Sequence, residues 1–161
     1  MSYAIRPARP DDAEAVVAMT HALNEHDKRT PVLMDAATFR RDGFAEPPAF
    51  RVFVAEDEAG ALIGYTLWYP EYDALGARRG AFMEDLWVDP SARGSGLARR
   101  LMAAIARENA SAGGRYLAWM AKKDNAVANA FYAKVGEAAP EYVSWSSDGT
   151  DFAALLGPDD G

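Results

Sequence analysis

Two adjacent carboxylates and a glycine-containing loop stand close together near the middle of the chain. Glu84 and Asp85 lie in an apolar run, residues 82–88, where a purely structural strand would carry apolar or β-branched side chains. The loop that follows, residues 93–96, reads Arg-Gly-Ser-Gly and leads into a helical pattern. A helix that begins at such a loop presents unpaired N–H groups and a positive dipole end to an anion. This segment therefore combines a candidate proton acceptor with a candidate phosphate or pyrophosphate site.

What the glycine loop lacks narrows its possible ligands. It has no Lys-Ser/Thr pair of a P-loop, which argues against a nucleoside triphosphate, and it lacks the spacing of a dinucleotide-binding fingerprint. Gly94 and Gly96 let the backbone turn sharply and approach a ligand, while Arg93 and Arg99 add positive charge. A plain glycine-containing connection between strand and helix is the alternative interpretation.

The composition limits the available partners and chemistry. The 161 residues include 24 acidic and 17 basic side chains, and the formal net charge of −7 argues against a nucleic-acid partner and suits a cationic small molecule. Cysteine is absent, which excludes disulfides, thiolate metal sites and a cysteine nucleophile. With only His21 and His26 to supply imidazole, we expect no metal site. Because residues 1–7 lack a signal-peptide core and no apolar run approaches membrane-spanning length, we expect a cytoplasmic protein without a membrane partner.

The elements that must position these residues follow from hydrophobic periodicity and from turn and capping signals. We predict a single domain over residues 1–156 and a flexible tail over 157–161, because no linker or repeat divides the chain. The order β-α-α-β-β-β-α-β-α-β-β predicts an α/β fold, a mixed sheet with helices on its faces. The predicted strands span residues 3–7, 50–56, 61–69, 82–88, 116–121, 142–145 and 152–156, with a loop over 70–80; the predicted helices begin near residues 10, 35, 97 and 125, and the last ends at Gly136.

Three stretches together carry a resemblance to a known family. Residues 84–88 (Glu-Asp-Leu-Trp-Val), the Arg-x-x-Gly-x-Ala pattern at 93–98, and residues 125–136 resemble the GNAT superfamily of acetyl-CoA-dependent N-acetyltransferases. Within it the chain most resembles the diamine (spermidine/spermine-type) acetyltransferase branch, through residues 42–44, 53–56 and 72–73 as well. The resemblance implies the GNAT acyl-CoA N-acyltransferase fold, with a central, mostly antiparallel sheet, a splayed strand pair and flanking helices, and it implies a homodimer.

The same resemblance implies a cofactor, acetyl-CoA, and the residues that bind it. Backbone groups of Leu86, Trp87 and Val88 would pair with pantetheine as an added strand would. Asn125 would bind the amide arm, and Lys134 would meet the nucleotide phosphate or else compensate the helix dipole. Arg93 would add charge beside the pyrophosphate, which the N–H groups of Gly94, Ser95, Gly96, Leu97, Ala98 and Arg99 would hold.

Two residues receive catalytic roles by the resemblance. Tyr132 would protonate the leaving thiolate, since a phenol with a pKa near 10 can donate to a thiolate; the alternative is a residue that only packs. Glu84 would accept the proton of the amine, or would only anchor the substrate's ammonium group. Asp85 is expected on the opposite strand face by regular alternation.

The acceptor is expected to be a small cationic amine. By resemblance, His26, Asp27, Tyr72 and Asp73 line the amine path together with Glu84 and Asp85, although the loop acids are equally interpreted as solvated surface groups. The chain departs from the branch at Leu75 and at residues 148–150, where aromatic residues are expected. These departures weigh against long polyamines and keep smaller amines, including lysine-like amino acids, open.

The sequence therefore predicts direct acetyl transfer from acetyl-CoA to the primary amine of a diamine, a polyamine or a lysine-like amino acid. Two alternatives remain. One is a protein or peptide N-acetyltransferase with the same cofactor half, and the other is a non-catalytic acyl-CoA-binding regulatory domain.

Overall fold

Five strands form one mixed sheet in the first of the chain's two compact units, which are Met1–Ala121 and Lys122–Gly161. The structure is a computed structural model, and it describes residues 2–28 and 33–139. In the first unit the strands are β1 (Tyr3–Pro7), β2 (Arg51–Asp57), β3 (Leu62–Asp73), β4 (Arg78–Val88) and β5 (Leu117–Trp119), and the helices are α1 (Ala13–His26), α2 (Ala36–Gly43) and α3 (Leu97–Ser111). The second unit contains α4 (Ala126–Tyr132).

The sheet has the order β1-β2-β3-β4-β5. The strands from β1 to β4 pair antiparallel with their neighbours, and β5 pairs parallel with β4. This mixed sheet with flanking helices confirms the predicted fold class. The prediction of a single domain over residues 1–156 stays a prediction, and the predicted strands at 142–145 and 152–156 lie outside the described residues.

Helices cover both faces of the sheet. On one face α1 and α2 pack over alternating strand residues and form one core cluster with them. The buried members of this cluster, from the helices, the strands and the loop before β2, are Ala13, Val16, Phe39, Phe50, Val52, Val54, Tyr65, Leu67 and Trp87. Gly64, which alternates with Tyr65, belongs to the other face and lies against α3. A Cβ at Gly64 would lie 3.4 Å from the side chain of Leu97 and 3.5 Å from that of Leu101. Because Gly64 has no side chain, the apolar face of α3 packs close against β3.

Several element bounds differ from the predictions. The predicted loop over 70–80 is largely strand, because β3 runs on to Asp73 and β4 starts at Arg78 as one long hairpin. A short 3-10 turn, Pro10–Asp12, precedes α1. The fifth strand is confined to Leu117–Trp119, and α4 ends at Tyr132, followed by a turn in which the N–H of Gly136 donates to the Tyr132 carbonyl.

Within residues 2–28 and 33–139, no helix has the length and apolar character needed to cross a bilayer.

Candidate active site

The C-terminal half of β4 has an open edge. β5 pairs with β4 only along residues 81–83, where Met83 lies opposite Trp119. From Glu84 to Val88, β4 pairs with β3 on one side. On its other side, no strand among the described residues pairs with it there. Unpaired strand groups of this kind can bind an extended, amide-containing ligand as an added strand. The predicted pantetheine residues Leu86, Trp87 and Val88 all lie on this open edge.

A β-bulge at Glu84 sets the positions of the two carboxylates. Leu67 of β3 lies opposite Asp85, but the next residue, Trp68, lies opposite Met83, so Glu84 is an extra residue in β4. Asp85 therefore shares a face with Leu67. It also shares that face with Tyr65 and Tyr69, because alternate residues of a strand point the same way.

The two tyrosines of β3 contact the two carboxylates. The hydroxyl of Tyr65 donates to Oδ2 of Asp85 at 3.0 Å, and the hydroxyl of Tyr69 donates to Oε2 of Glu84 at 3.3 Å. Both carboxylates thus lie on the face that carries these tyrosines. The prediction that Asp85 points to the opposite face is wrong, because the bulge shifts the alternation of β4 by one residue.

The two carboxylates differ in environment. Asp85 is 8% exposed and its Tyr65 partner is fully buried, so the pair belongs to the interior. The hydroxyl of Thr66 also donates to the Asp85 carbonyl at 2.8 Å. Glu84 is exposed, and burial together with the negative charge of Glu84 raises the pKa of Tyr69. Glu84 is therefore the carboxylate that a solvent-borne amine can reach.

Trp87 connects the open edge to α1 and to the glycine loop. The ring of His26, the last residue of α1, meets it edge-on with centroids 6.1 Å apart. The guanidinium of Arg93 lies 5.0 Å from the Trp87 ring centroid, and its Nε donates to the Val88 carbonyl at 3.2 Å. His26, followed by Asp27 at the C-cap, is thereby brought beside the open strand. The Arg93 side chain is held against that strand.

The glycine loop presents a row of backbone N–H groups at the start of α3. Gly94 and Gly96 adopt φ values of +79° and +81°, and a Cβ on either would meet open space. The first helical hydrogen bond of α3 runs from the Arg100 N–H to the Gly96 carbonyl. Within the part of the chain that the structure describes, the backbone N–H groups of residues 94–99 donate to no acceptor. The Ser95 hydroxyl instead donates to the Ala92 carbonyl at 2.6 Å.

Tyr72 and Asp73 lie away from Glu84. They end β3, opposite Arg79 and Arg78 of β4. The strand rise puts Arg79 and Glu84 on the order of 16 Å apart. Asp73 accepts from the Gly76 N–H at 2.9 Å and from Nε of Arg78 at 2.8 Å, and these bonds hold its pKa below the usual range. The structure therefore does not bring these two predicted substrate residues to the bulge.

In the second unit, capping explains the start of α4. The helix begins where predicted, near residue 125, and Asn125 is its N-cap, with Oδ1 accepting from the Ala128 N–H at 3.1 Å. Tyr132 is the last residue of the helix, and its ring centroid is 5.3 Å from that of Phe131. Lys134 lies in the turn after the helix, with its N–H donating to the Phe131 carbonyl.

Sequence reasoning missed both tyrosines that hold the carboxylates. Tyr65 and Tyr69 fall at alternating positions of a predicted strand, so their shared face was available from the sequence. The carboxylates that they contact on β4 could not be identified from the sequence, because these contacts depend on the register of β3 against β4.

Two relatives and one solved structure show which proteins this chain is similar to in sequence and in fold. The thialysine N-epsilon-acetyltransferase of Sus scrofa is 30% identical over 113 residues, covering 65% of this chain and 66% of that protein, so the match spans just under two thirds of the relative's length. The N-acetyltransferase YhfO of Bacillus subtilis (strain 168) is 26% identical over 132 residues, covering 82% and 87%. An integron cassette protein from the mobile metagenome of V. cholerae shares the fold, with a TM-score of 0.79 at 22% identity over 97% of this chain and 98% of that one.

The acetyltransferase (GNAT) family matches residues 17–136, a range that contains the open edge of β4, the bulge, the glycine loop and α4. This chain belongs to the acetyltransferase (GNAT) family.

Proposed function

We propose that this protein transfers an acetyl group from acetyl-CoA directly to the primary amine of a small cationic acceptor, a lysine-like amino acid or a diamine. One observation carries the proposal: the open edge of β4 leads into a loop whose N–H groups at residues 94–99 lack acceptors among the described residues. The thialysine N-epsilon-acetyltransferase relatives support a lysine-like acceptor.

The residues of the first unit fit the cofactor. An unpaired strand edge suits the two amides of pantetheine, and a loop with two left-handed glycines and an α-helix of 15 residues behind it suits pyrophosphate. Leu86, Trp87 and Val88 would hold the first and residues 94–99 the second, and Asn125 is proposed for the amide arm. When bound, acetyl-CoA supplies a thioester that an amine can attack.

The bulge favours a positively charged acceptor. Glu84 is exposed, and the Asp85 side chain lies on the same face, buried behind it. One charge pair at 4 Å is worth about 1 kcal/mol in water and about 4 kcal/mol at an effective dielectric of 20. An exposed carboxylate at Glu84 therefore favours a cationic amine over a neutral one. Glu84 either takes the amine's proton or anchors its ammonium group, and the two roles give different kinetics.

The acceptor is tested by measuring thiol release from acetyl-CoA with thialysine, lysine, diamines, spermidine, aminoglycosides and peptides. We expect the highest kcat/KM with a lysine-like amino acid or a short diamine. A peptide as the best acceptor would establish the protein N-acetyltransferase alternative. Tight coenzyme A binding without turnover on any amine would establish the regulatory alternative. The proposed homodimer is tested separately by light scattering.

The role of Glu84 is tested by Glu84→Gln, with Glu58→Gln in the β2–β3 turn as the matched control because Glu58 is also exposed. We expect at least a tenfold loss of kcat/KM for the amine in the first variant and none in the second, since a carboxylate contact to a cation at intermediate dielectric exceeds about 1.4 kcal/mol. Loss of the acidic limb of the pH–rate profile identifies a base. A rise in the amine KM alone identifies an anchor. Wild-type kinetics in Glu84→Gln would exclude both.

Tyr132 is proposed as the acid that protonates the leaving thiolate. Tyr132→Phe keeps the ring beside Phe131 and removes only the hydroxyl. We expect kcat to fall by about two orders of magnitude, as for loss of a general acid, while the coenzyme A affinity measured by calorimetry stays unchanged. An unchanged kcat would remove Tyr132 from the mechanism.

A further inference from the structure

Tyr69 contacts Glu84 of β4 through its hydroxyl and Phe82 of β4 through its ring. The hydroxyl donates to Oε2 of Glu84 at 3.3 Å. The ring stacks on Phe82, with centroids 5.4 Å apart and an interplanar angle of 22°. Because Phe82 packs against the ring, the hydroxyl is presented to the carboxylate by packing as well as by its own hydrogen bond. Tyr69→Phe would remove the hydroxyl contact to Glu84 and keep the ring contact to Phe82, so the two contacts can be tested separately.

The hydrogen bond has a defined direction at neutral pH. Burial raises the pKa of Tyr69, and the negative charges of Glu84 and Glu71 raise it further. The phenol therefore stays protonated and is the donor of this hydrogen bond. Oε1 of Glu84 accepts no hydrogen bond from residues 2–28 or 33–139. The two oxygens of one carboxylate thus differ, with one held and one open to a ligand.

We propose that Tyr69 is a positioning residue for the acceptor amine, holding Oε2 of Glu84 so that Oε1 binds the substrate's ammonium group. This inference rests on the proposed acetyl transfer and deepens it by naming the group through which Glu84 acts. An exposed glutamate otherwise samples several rotamers, and ordering it on binding costs free energy. Holding one oxygen in advance lowers that cost and leaves the second oxygen for the substrate.

The first test is Tyr69→Phe in the full chain, assayed with the best amine of the acceptor panel. We expect kcat/KM for the amine to fall about tenfold, or about 1.4 kcal/mol, the size of a hydrogen bond to a charged group. The loss should appear mainly in the amine KM, with the acetyl-CoA KM unchanged. Tyr3→Phe is the matched control, since Tyr3 lies in β1 at the far edge of the sheet and its hydroxyl has no partner among the described residues.

The second test is a double-mutant cycle with Glu84→Gln. If Tyr69 acts through Glu84, adding Tyr69→Phe to Glu84→Gln causes little further loss. An equal tenfold loss on both backgrounds would overturn the inference, as would a Tyr69→Phe variant that behaves like Tyr3→Phe. These outcomes require an active wild type. A wild type that acetylates no amine would instead refute the proposed function, and the inference with it.

Discussion

Replacing Gly96 by alanine tests whether the loop before α3 binds pyrophosphate. Gly96 has a φ of +81°, and a Cβ there meets open space, so the substitution strains the backbone without a clash in the free protein. An L-residue in the left-handed region costs roughly 1–2 kcal/mol. For a chain of this size that corresponds to a fall in Tm of about 2–8 °C.

Gly113 supplies a control with the same strain. Its φ is +84°, a Cβ there also meets open space, and it lies just beyond the other end of α3. The 15 residues of α3 separate the two positions by about 22 Å. Gly96→Ala and Gly113→Ala should therefore lose similar Tm, measured by differential scanning calorimetry, while differing in ligand binding.

Coenzyme A affinity, measured by isothermal titration calorimetry, is the deciding quantity. Displacing one backbone N–H from an anion costs about 1.5–3 kcal/mol, or a loss of about ten- to a hundredfold in affinity. We expect this loss for Gly96→Ala and wild-type affinity for Gly113→Ala. Equal affinities in the two variants would show that residues 94–99 do not hold the pyrophosphate, whatever their effect on Tm.

Two further predictions concern stability. Gly80→Ala should lower the free energy of unfolding by about 1–3 kcal/mol, because a Cβ at Gly80 would overlap the ring of Tyr116; an unchanged thermal melt would contradict this. The hydrogen-bonded ion pair with Arg6 holds the pKa of Asp12 below its usual range. The charged carboxyl of Asp12 therefore stabilises the fold fully above its unfolded pKa of about 3.9. This stabilisation is lost as the pH falls through the folded pKa. Wild type should therefore melt above Asp12→Asn at pH 7, and the gap in Tm should close below about pH 4; a constant gap would contradict the assignment.

Local signals in the sequence predicted the parts of the site that depend on neighbouring residues. The turn at Gly94 and Gly96 and the cap at Asn125 follow from backbone freedom and from a side chain that accepts a nearby N–H. The end of β3 was missed, since the apolar alternation fades after Tyr69. Residues beyond it are strand only because they pair with β4, where Tyr72 lies opposite Arg79.

The sequence by itself determined the family likeness, the mixed α/β class, and the residue types available for chemistry: two adjacent carboxylates, a glycine-containing loop before a helix, and no thiol nucleophile. Only the tertiary structure decided where the two carboxylates lie and which side chains they contact. The register of β3 against β4 creates the bulge at Glu84 and turns Asp85 to the same face as Glu84. Asp85 then accepts a hydrogen bond from Tyr65, and Glu84 accepts one from Tyr69. Strand register is set by pairing between distant segments, and one extra residue reverses the alternation on which sequence reasoning relies.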